Sequence, residues 1–138
     1  MISIVVPVYR NESSIPELLE RLRQLHEATR GDIEAVLVVD GSPDRCQELL
    51  ARALPRAPFP SQLITLCRNF GSFPAIVAGV GHARGDVYAV MCADLQEPPD
   101  LVLEFRRRLL SGDCDVVVGT RDTIPALRSA RGAHVSGI

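Results

Sequence analysis

The 138-residue chain lacks several features that mark common classes of protein. It has no tryptophan and only 4% aromatic residues, so a platform of stacked rings for single-stranded nucleic acid is not expected. Its formal net charge of −2 gives no basis for nucleic-acid binding in general. No apolar run reaches the roughly 18 residues of a membrane-spanning helix.

The cysteines also lack the spacing of a metal site. Four are present, and none forms a CxxC pair: Cys46, Cys67, Cys92 and Cys114. A zinc site is therefore not expected, and the cysteines predict reduced thiols in a cytoplasmic protein. No signal peptide is visible after Met1, which favours the same compartment.

Two well-known phosphate-binding motifs are absent as well. A dinucleotide fold needs GxGxxG after its first strand, and Pro7, Val8 and Tyr9 stand there instead. The P-loop pattern GxxxxGK[ST] does not occur. Any bound phosphates must therefore be held in another way.

The chain does contain an alternation of strand and helix patterns. Short apolar runs predict five strands at residues 2–8, 34–40, 63–66, 87–93 and 115–119, and amphipathic stretches between them predict helices. Such alternation predicts an α/β fold with a mostly parallel sheet and helices on both faces. The pattern fades near the end, so we expect a domain over residues 1–121 and an irregular tail over 122–138.

The most informative stretch is residues 94–99, directly after the fourth predicted strand. Asp94 places a carboxylate at the strand end, and Gln96 adds an amide oxygen two residues later. Ligands bind beyond the carboxyl ends of parallel strands. Oxygen donors there suit Mg²⁺ or Mn²⁺ carrying phosphates.

Polar residues also follow the first three strands, at residues 9–12, 40–44 and 68–69. For any single loop, turn formation explains them equally well. Four such loops at one sheet edge predict a site for nucleotide phosphates.

Together these segments resemble the family 2 glycosyltransferases, which have the GT-A (Rossmann-like) fold. The likeness covers roughly residues 2–121 and is greatest to dolichyl- or polyprenyl-phosphate sugar synthases. It is carried by five motifs in order: residues 6–12 (VPVYRNE), 40–44 (DGSPD), 68–71 (RNFG), 93–99 (ADLQEPP) and 118–121 (VGTR).

The resemblance implies a role for each matching position. Pro7, Tyr9 and Glu12 (or Asn11, under a one-residue shift) would line the pocket for base and ribose, and Asp40 would contact the nucleoside. Asp94 and Gln96 would hold the metal ion, with Asp94 also taking a catalytic role. Arg68 and Arg121 would face the phosphates of donor or acceptor, and Arg121 would be catalytic.

The reaction that the resemblance implies is metal-assisted transfer of a sugar, with inversion, from a UDP- or GDP-sugar to a lipid-phosphate acceptor of the polyprenyl or dolichyl type. It places the protein in the cytoplasm or at the cytoplasmic face of the membrane. Relatives continue beyond the fifth strand, so the chain is expected to be an incomplete N-terminal portion whose missing part reaches the membrane surface.

Two positions depart from the family pattern. Val39 replaces the first of two aspartates before the Gly-Ser pair, and Cys92 replaces the first aspartate of Asp-x-Asp-x-Gln. The loss at Cys92 keeps a second hypothesis open, in which the domain is a non-catalytic nucleotide-binding or assembly module. A nucleotidyltransferase is disfavoured because no basic glycine-rich loop follows the first strand.

Overall fold

The computed structural model describes residues 1–95, 100–112, 114–120 and 133–136. It contains two compact units, Met1–Pro99 and Asp100–Ile138. The first unit holds the sheet on which the predicted site depends. The second holds one helix and two strands among its described residues.

Among the described residues of the first unit, four strands alternate with three α-helices. The elements are β1 (Ile2–Val8), α1 (Ile15–Ala28), β2 (Ile33–Asp40), α2 (Cys46–Ala53), β3 (Ser61–Leu66), α3 (Ser72–His82) and β4 (Val87–Val90). The strands pair in parallel in the order β3-β2-β1-β4. The predicted α/β fold with a parallel sheet is therefore confirmed.

The central strands form the core of this unit. All eight residues of β2 are buried, as expected for a Val/Ile-rich strand covered on both faces. Helix α3 covers one face, where Ala75 packs against Val5, Val36 and Val38. A Cβ at Gly79 would lie 2.4 Å from Val5 Cγ1, so this glycine lets α3 approach the sheet closely.

The strand order also explains where a cleft forms. The chain steps outward from β1 to β2 to β3, and then crosses to β4 on the other side of β1. Because crossovers are right-handed, this reversal puts α1 and α2 on the face opposite α3. Loops at the carboxyl ends of β1 and β4 diverge at such a switch point, which leaves a crevice.

The fourth strand is shorter than the sequence predicts. The apolar run extends to Ala93, whereas β4 ends at Val90. The Met91 N–H still donates to the Val5 carbonyl at 3.1 Å, and residues 92–95 then turn. Ala93 and Asp94 therefore lie in a loop rather than on a strand.

The second unit contains α4 (Asp100–Leu110), β5 (Val117–Thr120) and β6 (Ala133–Ser136). The expectation that the fifth strand joins the main sheet is wrong, because β5 pairs in parallel with β6 in a separate two-stranded sheet. An apolar run predicts a strand but does not identify its partner. Strand β6 lies in the stretch predicted to be irregular, since four residues give little periodic signal.

Within the described ranges, no helix combines the length and the apolar character needed to cross a membrane.

Candidate functional site

A cleft of about 300 Å³ opens at the carboxyl edge of the four-stranded sheet. Its walls come from the loops after all four strands. The lining residues are Pro7, Val8, Tyr9, Asn11, Asp40, Asn69, Ser72, Cys92, Ala93 and Asp94. Four predicted site residues, Pro7, Tyr9, Asp40 and Asp94, therefore lie around one cavity.

The loop after β1 has a defined turn. The Tyr9 N–H donates to Asn11 Oδ1 at 3.0 Å, a short-range bond typical of asparagine turns. Between them, Arg10 has a positive φ of 55°, which is uncommon for a residue with a side chain. Its N–H donates to Ser42 Oγ at 2.8 Å, so the neighbouring loop holds this conformation.

The sequence left Glu12 and Asn11 as alternatives for the ribose pocket, and they have different surroundings. Asn11 lines the cleft, whereas Glu12 is not among the lining residues. The Glu12 carboxylate accepts the Arg45 backbone N–H at 3.1 Å and Arg45 Nε at 2.9 Å. These two bonds lower the pKa of Glu12. Glu12 thus ties the first loop to the start of α2.

Asp44 joins the same two loops from the other side. It accepts hydrogen bonds from Ser42 Oγ at 2.6 Å, from the Cys46 N–H at 3.2 Å and from the Glu12 N–H at 3.1 Å. Burial alone would raise the pKa of Asp44, but these hydrogen bonds outweigh it and lower the pKa to about 2. Asp44 is therefore ionised at neutral pH and is bound within the protein.

Asp40, at the end of β2, lines the cleft although it is only 2% exposed. Its two carboxylate oxygens accept the backbone N–H groups of Phe70 and Gly71, both at 2.8 Å. The sequence predicts that Asp40 contacts the nucleoside, and this stays a prediction. The structure shows that Asp40 also binds the backbone of the loop after β3.

That loop, residues 67–71, leads directly into α3. Arg68 is exposed and its guanidinium lies 4.0 Å from the centre of the Phe70 ring. Arg68 does not line the cleft, whereas its neighbours Asn69 and Ser72 do. Asn69 belongs to the polar pair that the sequence predicts at this edge, whereas the sequence predicts Ser72 only as the start of a helix.

Cys92, Ala93 and Asp94 form the wall after β4. The Leu95 N–H donates to the Cys92 carbonyl at 3.3 Å, closing a turn that exposes Asp94. Leu95 has a φ of 56°, the second positive value for a side-chain-bearing residue at this edge. Gln96 and Arg121, the other predicted metal and catalytic residues, lie outside the described residues.

The side chains of the cleft suit a metal ion that takes only some of its ligands from the protein. No group of three His, Cys, Asp or Glu residues that could hold a metal occurs among the described residues. Asp94 supplies one exposed carboxylate to the cleft, and the neighbouring lining residue Cys92 offers a thiol instead of a second. Mg²⁺ commonly uses one or two protein carboxylates, with water and substrate phosphates completing its shell.

Comparison with known proteins gives the family. Residues 3–134 match the profile described as Glycosyl transferase family 2. The chain is 41% identical over 122 residues to an undecaprenyl-phosphate 4-deoxy-4-formamido-L-arabinose transferase of Pseudomonas paraeruginosa, covering 88% of this chain and 36% of that protein. It is 44% identical over 99 residues to the protein of the same name from Pseudomonas fluorescens, covering 72% and 29%. The chain thus spans about a third of the length of these relatives.

Solved structures show the same fold at lower sequence identity. The mannosyltransferase PcManGT from Pyrobaculum calidifontis, in complex with GDP-Man and Mn²⁺, matches with a TM-score of 0.76 and 21% identity, covering 87% of this chain and 35% of that one. TarS 1–349 of S. aureus, in complex with UDP-GlcNAc, matches with a TM-score of 0.72 and 20% identity, covering 93% and 37%. With its fold and its sequence in agreement, this chain belongs to glycosyl transferase family 2 and has the GT-A fold.

Proposed function

We propose that this chain is the nucleotide-sugar-binding portion of an inverting glycosyltransferase. Its donor would be a UDP- or GDP-sugar and its acceptor a polyprenyl phosphate, at the cytoplasmic face of the membrane. The observation that carries the proposal is the cleft at the switch point, with Pro7, Tyr9, Asp40 and Asp94 on its walls. The acceptor class is supported by the relatives, whose names state undecaprenyl phosphate.

The polar surroundings of the cleft suit a diphosphate. Helix α3 begins at Ser72 in the cleft wall, and the positive end of a helix dipole favours an anion. Asp94 would hold a divalent cation on the diphosphate, with Gln96 as the further predicted ligand. Such a cation, when bound, supplies Lewis-acid stabilisation of the leaving group. Arg68 and Arg121 are the proposed cationic partners of the phosphates.

The reaction needs little acid–base help from the protein. An acceptor phosphate oxygen would attack the anomeric carbon of the sugar while the bond to the nucleoside diphosphate breaks on the opposite face. The new glycosyl–phosphate bond then has inverted configuration. The acceptor is anionic near neutral pH, so the chain's own residues chiefly orient the reactants and stabilise developing charge.

Calorimetry with UDP and GDP, each with and without Mg²⁺ or Mn²⁺, tests this proposal. We expect one nucleotide to bind, with an affinity that rises when metal is present. Asp94→Ala should remove the metal-dependent increase, about tenfold or more, because it deletes a charged metal ligand. Asp86→Ala is the matched control, since Asp86 is an exposed carboxylate directly before β4, at the amino ends of the strands and away from the cleft. Wild-type protein that binds neither nucleotide in the presence of metal would refute the proposal.

Cys92 is the observation that favours a second function, a nucleotide-binding or assembly module without catalysis. It lies in the cleft wall, at the position where the family pattern Asp-x-Asp-x-Gln, as the resemblance implies it, has its first carboxylate. Cys92→Asp distinguishes the two functions. A large gain in metal-dependent nucleotide affinity, about a hundredfold, would indicate a degenerate site. A change of less than about threefold would indicate that Asp94 and its neighbours already suffice.

A further inference from the structure

We propose that Asp40 is a positioning residue that fixes the Arg68–Gly71 loop, and that through this loop it sets the affinity of the site for the diphosphate of the donor. The inference rests on the proposed function, because it names which part of that ligand Asp40 controls. It differs from the role that the family resemblance implies for Asp40, a direct contact with the nucleoside. The two roles predict losses on different parts of the same ligand.

The hydrogen bonds of Asp40 are directed at backbone. Its Oδ1 accepts the Phe70 N–H and its Oδ2 accepts the Gly71 N–H, each at 2.8 Å. Bonds from N–H groups to an ionised carboxylate are stronger than bonds between neutral groups. Asp40 itself is 2% exposed and ends the fully buried strand β2. The strand therefore fixes the backbone from which the Asp40 side chain extends. Both oxygens therefore hold one short segment of the next loop.

Gly41 brings the two loops into direct backbone contact. Its φ is 56°, and a Cβ added there would lie 2.1 Å from the Arg68 carbonyl carbon and 2.4 Å from the Asn69 nitrogen. No side chain fits between the two loops. Asn69 Nδ2 also donates to the Asp40 carbonyl at 3.4 Å. The loop after β3 thus rests directly on the end of β2.

This loop carries two groups that suit a phosphate, the Arg68 guanidinium and the start of α3. Asn69 and Ser72 line the cleft, and Ser72 is the first residue of α3. The Arg68 guanidinium lies on the Phe70 ring, whose own N–H is one of the two that Asp40 holds. Release of Phe70 and Gly71 would move the cation and the helix start together. Both groups interact with anions, so the loss should fall on the diphosphate.

The test compares a nucleotide with its own nucleoside. Calorimetry with Mg²⁺ first identifies whether the wild type binds UDP or GDP, and titration with uridine or guanosine follows. For Asp40→Asn we expect the diphosphate affinity to fall about tenfold and the nucleoside affinity to change less than twofold, because the amide places a donor against one backbone N–H. Glu34→Gln is the control, since it alters a buried carboxylate of the same strand at the other sheet edge and should leave both affinities unchanged.

Coupling to Arg68 provides a readout that a purely structural role would not produce. If Asp40 acts through the loop, Arg68→Ala lowers diphosphate affinity, and adding Asp40→Asn lowers it by less than the product of the two single effects. Independent effects that multiply in full would overturn the proposal. Equal loss of nucleoside and diphosphate, or no loss of either, would also overturn it.

A measurement on the wild type covers the case in which Asp40→Asn does not fold. The amides of Phe70 and Gly71 should exchange slowly with solvent, although they lie in a loop, because Asp40 accepts both. Exchange as fast as in an unstructured peptide would overturn the proposal. Wild-type protein that binds neither nucleotide would overturn this proposal together with the proposed function, whereas binding with equal losses in the variant overturns this one alone.

Discussion

Strand β2 carries a buried carboxylate at each end, and the two have different surroundings. Glu34, near the start, is 1% exposed and accepts hydrogen bonds from Ser3 Oγ at 2.7 Å, Gln62 Nε2 at 3.3 Å and the Arg84 N–H. Asp40, at the end, accepts the backbone N–H groups of Phe70 and Gly71 from one loop and lines the cleft. Glu34 is enclosed by partners from three segments, while Asp40 keeps one side toward the cavity.

The difference indicates that Glu34 contributes mainly to the stability of the sheet, whereas Asp40 contributes to the geometry of the cleft. Burial would raise the pKa of Glu34, but hydrogen bonds from Ser3, Arg84 and Gln62 outweigh burial and lower it. The Arg84 guanidinium adds an ion pair at 3.4 Å. Glu34 therefore joins β1, β3 and the turn before β4 into the sheet. Asp40 uses similar bonds to place a loop beside the cleft.

The largest effect on stability is expected at Gly41, where the backbones of the two loops are in contact. Gly41→Ala should lower the free energy of unfolding by about 3 kcal/mol, because the new Cβ meets backbone atoms and the left-handed φ is unfavourable for alanine. Urea denaturation measures it. Gly81→Ala is the control, since no described atom beyond its own helix backbone and chain neighbours lies within 4 Å of its added Cβ in α3, and it should stabilise by about 0.5 kcal/mol. A loss at Gly41 below about 1 kcal/mol would contradict the contact between the two loops.

The next largest effect is expected at the other edge of the sheet. Glu34→Gln should lower the free energy of unfolding by about 2 kcal/mol at neutral pH, because the buried network loses its negative charge and an amide donor replaces one of the two acceptor oxygens. The lowered pKa makes the stabilisation by Glu34 fully present above about pH 4.5, its ordinary value, and lost as the pH falls through the lower value in the folded state.

Denaturation at several pH values measures the effect of Glu34→Gln. The gap between wild type and variant should shrink below pH 4.5, while nucleotide affinity at neutral pH stays unchanged. A difference in unfolding free energy that is constant from pH 7 to pH 3 would contradict the role of the Glu34 charge. A loss of nucleotide affinity equal to that of Asp40→Asn would contradict the separate roles of the two ends of β2.

The smallest effect is expected at the exposed ion pair of the cleft edge. Arg45 Nη2 lies 2.8 Å from Glu12 Oε1, but Arg45 is 67% exposed. Arg45→Ala should change stability by no more than the error of chemical denaturation, because solvent screens such pairs and the backbone N–H bond to Glu12 survives. Arg52→Ala, which removes a comparable exposed pair with Glu48, is the control. A loss as large as that of Glu34→Gln would show that ion pairs, rather than backbone contacts, hold these loops.

Much of this architecture can be predicted from the sequence, because its signals are local. The apolar runs that form β1 to β4 are short and bounded by turn residues, and polar residues follow each of them. That places Pro7, Tyr9, Asp40 and Asp94 at one edge before any coordinates are known. Parallel strands bring these residues to the same edge, and the strand order of the structure then places them around one cleft.

What the sequence does not provide is long-range pairing. The Glu34 network joins residues up to 50 positions apart, and the Asp40 bonds cross about 30. No periodicity encodes such contacts. For the same reason, the apolar run of β5 gives no sign that it pairs with β6 rather than with the main sheet. The contacts of Glu12 with Arg45 are likewise not encoded in any local pattern.

Crystals grown with Mn²⁺ and the nucleotide that binds provide the most direct test of whether this cleft is the donor site. We predict an anomalous peak for manganese next to the Asp94 carboxylate, with the diphosphate between that peak and the Asn69–Ser72 wall of the cleft. A peak elsewhere, or a nucleotide bound away from the carboxyl edge of the sheet, would contradict the assignment of this cleft as the donor site.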